Sequence, residues 1–112
     1  MKKYQSDIEQ ELIEYLGEED FLKLVENYAG TRLFIAKLCK KEPTKIERCI
    51  GRKAAEILDR YYGGCSIAIP MARALRAKRY REEGMSNSRI AVKLGITESG
   101  VEKLFNRLKR AA

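Results

Sequence analysis

Between residues 97 and 110 the polar side chains fall in a stripe: Glu98, Ser99, Glu102, Lys103, Asn106 and Arg107. Steps of three and four residues put all six on one side of a helix, and leave Val101, Leu104, Phe105 and Leu108 on the other. The chemistry of this set is recognition. Asn106 can pair with adenine, Lys103 or Arg107 with guanine or a phosphate, and Glu98 or Glu102 can accept from the cytosine amino group. The carboxylates also read as helix-face partners of Lys103 and Arg107. Thr97, at the helix start, and Arg89, one helix earlier, complete the candidate base-proximal set.

Such a stripe needs elements that hold it out. Ser86 is placed to cap a short helix with Ile90, Ala91 and Leu94 on its apolar side. Gly95 follows where a sharp turn demands positive φ, and Thr97 is placed to cap the next helix, which runs to Lys109. A small residue, a turn glycine four positions on, and the apolar plugs Ile96, Val101 and Leu104 fit helix-turn-helix mechanics. Residues 71–83, MARALRAKRYREE, predict a basic helix ended by Gly84. Arg73, Arg76 and Arg79 on it, with Lys109 and Arg110, are candidates for the DNA backbone.

The charge balance points the same way. Residues 1–64 hold twelve basic and twelve acidic side chains, whereas residues 65–112 hold eleven basic and four acidic, the whole of the net +7. Confining the excess to one part of the chain points that part toward a polyanion. Histidine is absent, which removes the commonest general base and metal ligand. Cys39, Cys49 and Cys65 form no C-x-x-C pair and read as free, mostly buried thiols. No nucleophile-elbow or P-loop pattern occurs. The expectation is no enzyme, no cofactor and no metal site. No apolar run approaches ~20 residues and no apolar stretch follows the basic N-terminus, which predicts a cytoplasmic chain away from membranes.

The first half repeats itself. LGEEDFLKLVENYAGTRLFIA (16–36) and IGRKAAEILDRYYGGCSIAIP (50–70) align without a gap at an offset of 34. Gly17 matches Gly51, Leu24 matches Leu58, Tyr28 matches Tyr62, Gly30 matches Gly64 and Ile35 matches Ile69. A tetratricopeptide repeat has this period but ends in a second helix, whereas each unit here ends in glycine and a β-prone run. Each reads as helix, helix, strand: a first helix capped by Ser6 or Asp7, a second to Tyr28, then a strand at 31–36; a short helix after Pro43-Thr44, another from Arg52 to Tyr62, then a strand at 65–69 stopped by Pro70. Gly63-Gly64 reads as helix termination and a tight turn, and Tyr61, Tyr62 and Tyr80 as core or interface residues. The strands must pair, with each other or with those of a second chain, and the sequence leaves both open.

Gly63-Gly64, a short strand closing in Ile69-Pro70, a basic helix and then 86–110 together resemble the Mor transcription-activator family of Mu-like phages and prophages. The resemblance covers 61–110, with Ala68 and Met71 where the family often has an aromatic and a basic residue. It implies a homodimeric DNA-binding activator acting beside RNA polymerase, with an N-terminal dimerisation region and a strand that contacts DNA backbone or orients the reading unit. Gly63, Gly64, Ile69 and Pro70 would form that strand and hinge.

The expected fold is mostly α. Residues 1–70 form a repeated helical dimerisation region with two short β-strands, and 71–112 a helix-turn-helix. The expected function is a sequence-specific transcription regulator, an activator of phage or prophage genes. The alternatives are a helical module binding an acidic protein and an accessory DNA-binding domain of a recombination system. Against the latter, residues 1–64 lack the serine or tyrosine with an arginine cluster that strand transfer requires.

Overall fold

A computed structural model describes residues 3–37 and 43–111. Cys39 lies outside them. The chain is mostly helical with one small two-stranded antiparallel sheet. In order it forms α1 (Lys3–Leu16), α2 (Glu18–Tyr28), β1 (Arg32–Phe34), α3 (Lys45–Ile50), α4 (Arg52–Tyr62), β2 (Ser66–Ala68), α5 (Arg73–Glu82), α6 (Asn87–Leu94) and α7 (Glu98–Ala111). Two compact units result, Met1–Met71 and Ala72–Ala112. None of the described helices is long and apolar enough to cross a membrane.

In the first unit the local signals set the breaks. Gly17 (φ 85°, ψ 158°) separates α1 from α2, and Gly51 (φ 94°, ψ 162°) separates α3 from α4. A side chain at either would meet nothing within 4 Å, so the requirement is for backbone conformation, not space. Thr44 caps α3, its hydroxyl accepting from the Glu47 amide at 3.1 Å. Glu18, Glu19 and Asp20 occupy the first turn of α2, where the helix dipole favours negative charge. α1 starts earlier than expected: Ser6 and Asp7 lie inside it, because the helix-compatible residues before them extend it to Lys3.

The core of this unit draws on both copies of the repeat. Leu12 and Ile46, Leu16 and Ile50, Phe21 and Ala55, Leu24 and Leu58, and Ile35 and Ile69 are all buried, and every pair is 34 residues apart. Burying each large aliphatic or aromatic chain contributes about 1.5–3 kcal/mol. Of the tyrosines, Tyr62 donates its hydroxyl to the Glu11 carboxylate at 2.7 Å, tying α4 to α1. Burial and that carboxylate push its pKa well above the usual tyrosine range. Tyr61 is exposed and stacks on Tyr15 with ring centroids 3.9 Å apart.

The strands are shorter than expected, three residues each, and they pair with one another inside the chain. The register sets Arg32 opposite Ala68, Leu33 opposite Ile67 and Phe34 opposite Ser66. Leu33 and Ile67 are repeat equivalents, so a local twofold axis passes between them. The flanking bonds obey it. Gly30 donates to Ile69 at 2.9 Å and Gly64 to Ile35 at 2.8 Å; Ile69 donates to Thr31 at 2.8 Å and Ile35 to Cys65 at 2.9 Å. The same exchange relates the packing of α1 on α4 to that of α3 on α2. Cys65 is exposed rather than buried, because it sits at the turn into β2; Cys49 is half-buried.

Because bonds fall at positions 31, 35, 65 and 69, Phe34 and Ser66 face each other at a non-bonded site, where Cα atoms approach to about 4.5 Å. Phe34→Cys with Ser66→Cys, in a background with the three native cysteines changed to serine, is therefore expected to form a disulfide within one chain on oxidation. Non-reducing electrophoresis checks this. A disulfide-linked dimer would instead mean that the strands pair between chains.

Candidate nucleic-acid interface

The second unit is built around one small apolar cluster. Ala77 and Tyr80 of α5, Ile90, Ala91 and Leu94 of α6, and Val101 and Leu104 of α7 are buried together, flanked by Met85, Ile96 and Phe105. All three helices pack on one another. Ala91 is 6% exposed in this cluster, where a larger side chain would hold α6 and α7 apart.

Backbone chemistry sets the approach to α7. Ser86 caps α6, its hydroxyl accepting from the Arg89 amide at 3.2 Å. Gly95 ends α6 in the left-handed conformation (φ 71°, ψ 34°), with its amide donating to Ala91 at 2.9 Å. The Ile96 amide bonds the same Ala91 carbonyl at 3.0 Å, so the final carbonyls of α6 are satisfied by the turn itself. Thr97 then accepts from the Gly100 amide at 2.9 Å, a side-chain cap at the start of α7.

With Val101 and Leu104 buried, α7 turns Glu98, Ser99, Glu102, Lys103, Asn106, Arg107, Lys109 and Arg110 to solvent. Thr97 and Arg89 are exposed as well. Lys103, Asn106, Arg107 and Arg110 line one shallow, open depression. Three cationic side chains and an amide thus share one concave surface, a set that can hold a phosphate and one base edge. Among the described residues Glu98 and Glu102 make no ion pair; Arg52 is bridged to Glu47 and Glu56, and Arg79 to Glu82.

The backbone-contact set needs one correction. Arg73, Lys109 and Arg110 are exposed, but Arg76 is 6% exposed. The helical period places it beside Ala77 and Tyr80 on the inner face of α5. Its Nη2 donates to the Lys93 carbonyl at 3.1 Å, and its Nε lies 3.5 Å from the Tyr80 hydroxyl. The guanidinium therefore meets the carbonyl-rich end of α6, where positive charge is favoured. Arg79 is half-buried and lies 3.8 Å from Glu82. Arg81 remains exposed but is engaged within the unit. It lies over the Phe105 ring at 4.7 Å and donates to the Met85 carbonyl and to Asn87, which links the α5–α6 connection to α7.

Positional roles for Arg76 and Arg81 were missed because arginine in a basic helix reads as surface charge. The available signal for Arg76 was its place one residue before Ala77 and four before Tyr80. The strand and hinge residues belong to the first unit's geometry. Gly63 closes α4 by donating to Asp59 at 2.8 Å, Gly64 bonds across to Ile35, Ile69 is buried and Pro70 half-buried. Ala72, two residues on, adopts the left-handed conformation (φ 50°) as the chain enters α5. Comparison with protein-family models, curated proteins and solved structures returned no match.

Three substitutions test this arrangement. Nothing lies within 4 Å of a side chain built at Gly95, so Gly95→Ala isolates the backbone cost. Thermal unfolding should show a loss of about 1–2 kcal/mol, with a smaller loss for Gly95→Asn, which tolerates this conformation better. Arg76→Met keeps the apolar stem but leaves the Lys93 carbonyl without its guanidinium donor. It should cost about 1–3 kcal/mol in denaturant unfolding.

Proposed function

We propose that this chain is a duplex-DNA-binding transcription regulator of the Mor type, in which α6, the Gly95 turn and α7 form a helix-turn-helix. In this reading it is a cytoplasmic activator of phage or prophage genes and works beside RNA polymerase. One observation carries the proposal: Lys103, Asn106, Arg107 and Arg110 share an exposed depression on α7, a helix whose opposite side is anchored by Val101 and Leu104. A helix of this diameter fits the ~12 Å major groove of B-DNA. Arg73, Lys109 and Arg110 are free of the apolar cluster and available to phosphates.

The division of labour follows from chemistry. Arg107, Lys103 and Arg110 supply phosphate attraction and guanine contacts, and Asn106 pairs with adenine. Glu98 and Glu102 act by selection. A carboxylate held against a polyanion is repelled except where it meets a base amino group, so these two favour cytosine at their positions. Arg32, Phe34, Ser66 and Ala68 are exposed on the sheet, and Arg32 offers a further contact to the DNA backbone.

The test is the salt dependence of duplex binding. Affinity should fall with salt at a log–log slope of about −0.9 per phosphate contact. Arg107→Ala should reduce that slope by about one contact. Asn106→Ala should alter base preference with the slope unchanged, and Arg76→Met should also leave the slope unchanged, because Arg76 reaches no phosphate. Binding to an acidic protein but not to duplex DNA would overturn the proposal in favour of a protein-interaction module.

A further inference from the structure

The first unit carries the geometry of a symmetric dimer inside one chain. Antiparallel pairing about a twofold axis sets each residue opposite its own equivalent. Here Leu33 sits opposite Ile67, its partner in the 34-residue repeat. The four flanking backbone bonds form two pairs that the same exchange maps onto each other, with lengths agreeing to 0.1 Å. α1 on α4 and α3 on α2 are likewise exchanged, and five equivalent pairs of residues are buried, one member from each copy. This is an isologous contact, the same patch used twice, completed by covalently joined copies.

Downstream the symmetry ends. β2 leads through Pro70 into α5, α6 and α7, whereas β1 leads to Ala36 and Lys37 and, further on, α3. One pseudo-dyad therefore carries one reading helix. A homodimer of helix-turn-helix units reads two half-sites related by its own twofold axis, and the target mirrors that symmetry. A chain that closes its own twofold contact and carries a single α7 has no such axis relating two α7 helices.

We infer that the protein acts as a monomer and that its target is a single asymmetric duplex half-site, not an inverted repeat. This replaces the homodimer expected of residues 1–70: the contact that would join two chains is already made by the two repeat copies. The inference about the target rests on the DNA-binding reading above; the inference about assembly does not.

Sedimentation of the full chain at micromolar concentration, free and with duplex, separates the two parts. Selection from a random duplex pool then supplies the target. The expected results are one chain free, one chain per bound duplex, and an enriched sequence without dyad symmetry. A duplex carrying one copy of that sequence should bind within about threefold of a duplex carrying an inverted pair, per site. A dimer in free solution, or an enriched inverted repeat with half-sites about one helical turn apart, would overturn the inference. A monomer that binds no duplex at all would uphold the assembly and overturn the target along with the DNA-binding reading.

Discussion

The pairing of β1 with β2 is the contact on which the first unit depends. Two strands of three residues expose too many backbone groups to persist alone. They persist because each is the end of a helix–helix unit whose other copy supplies the partner. The register puts Leu33 against Ile67, and with it come the cross-bonds from Gly30 and Gly64. A slip of one residue would turn Ile67 out of the core and bring Ser66 or Ala68 in. Closing the sheet inside the chain therefore also sets which faces of the four helices meet.

In the second unit a few polar contacts do the comparable work at the edge of a small core. Seven buried residues leave little apolar area for holding three helices at a fixed angle. The turn at Gly95 satisfies the end of α6 through the Ala91 carbonyl, and Arg76 adds its guanidinium at the neighbouring Lys93 carbonyl. Arg81 joins Met85, Asn87 and the Phe105 ring. Basic residues thus serve two purposes in one unit. Arg76 and Arg81 of α5 organise it, and those on the outer face of α7 stay exposed to solvent.

The two units divide along the same line as the charge. Residues 1–64 balance their charges and fill a core with repeated apolar positions, while the net charge lies beyond them. Confining the net charge to the second unit concentrates electrostatic attraction for anions there, on the unit that carries α7.

Much was legible locally. The glycine breaks at 17, 51 and 95, the caps at Thr44, Ser86 and Thr97, the bounds of α2 and α4, and the outward stripe on α7 all depend on residues within a turn or two of one another. Such signals are short-range, so one segment contains them. The choice of strand partner, the opposition of Leu33 and Ile67, the burial of Arg76 and the exposure of Cys65 depended on contacts between segments far apart in the chain. The sequence determined the repeat, the helical periods and the placement of charge, because these are properties of neighbours. Only the tertiary structure decided that the repeat closes on itself and that one arginine of a basic helix turns inward, because each outcome is set by which distant surface is there to meet it.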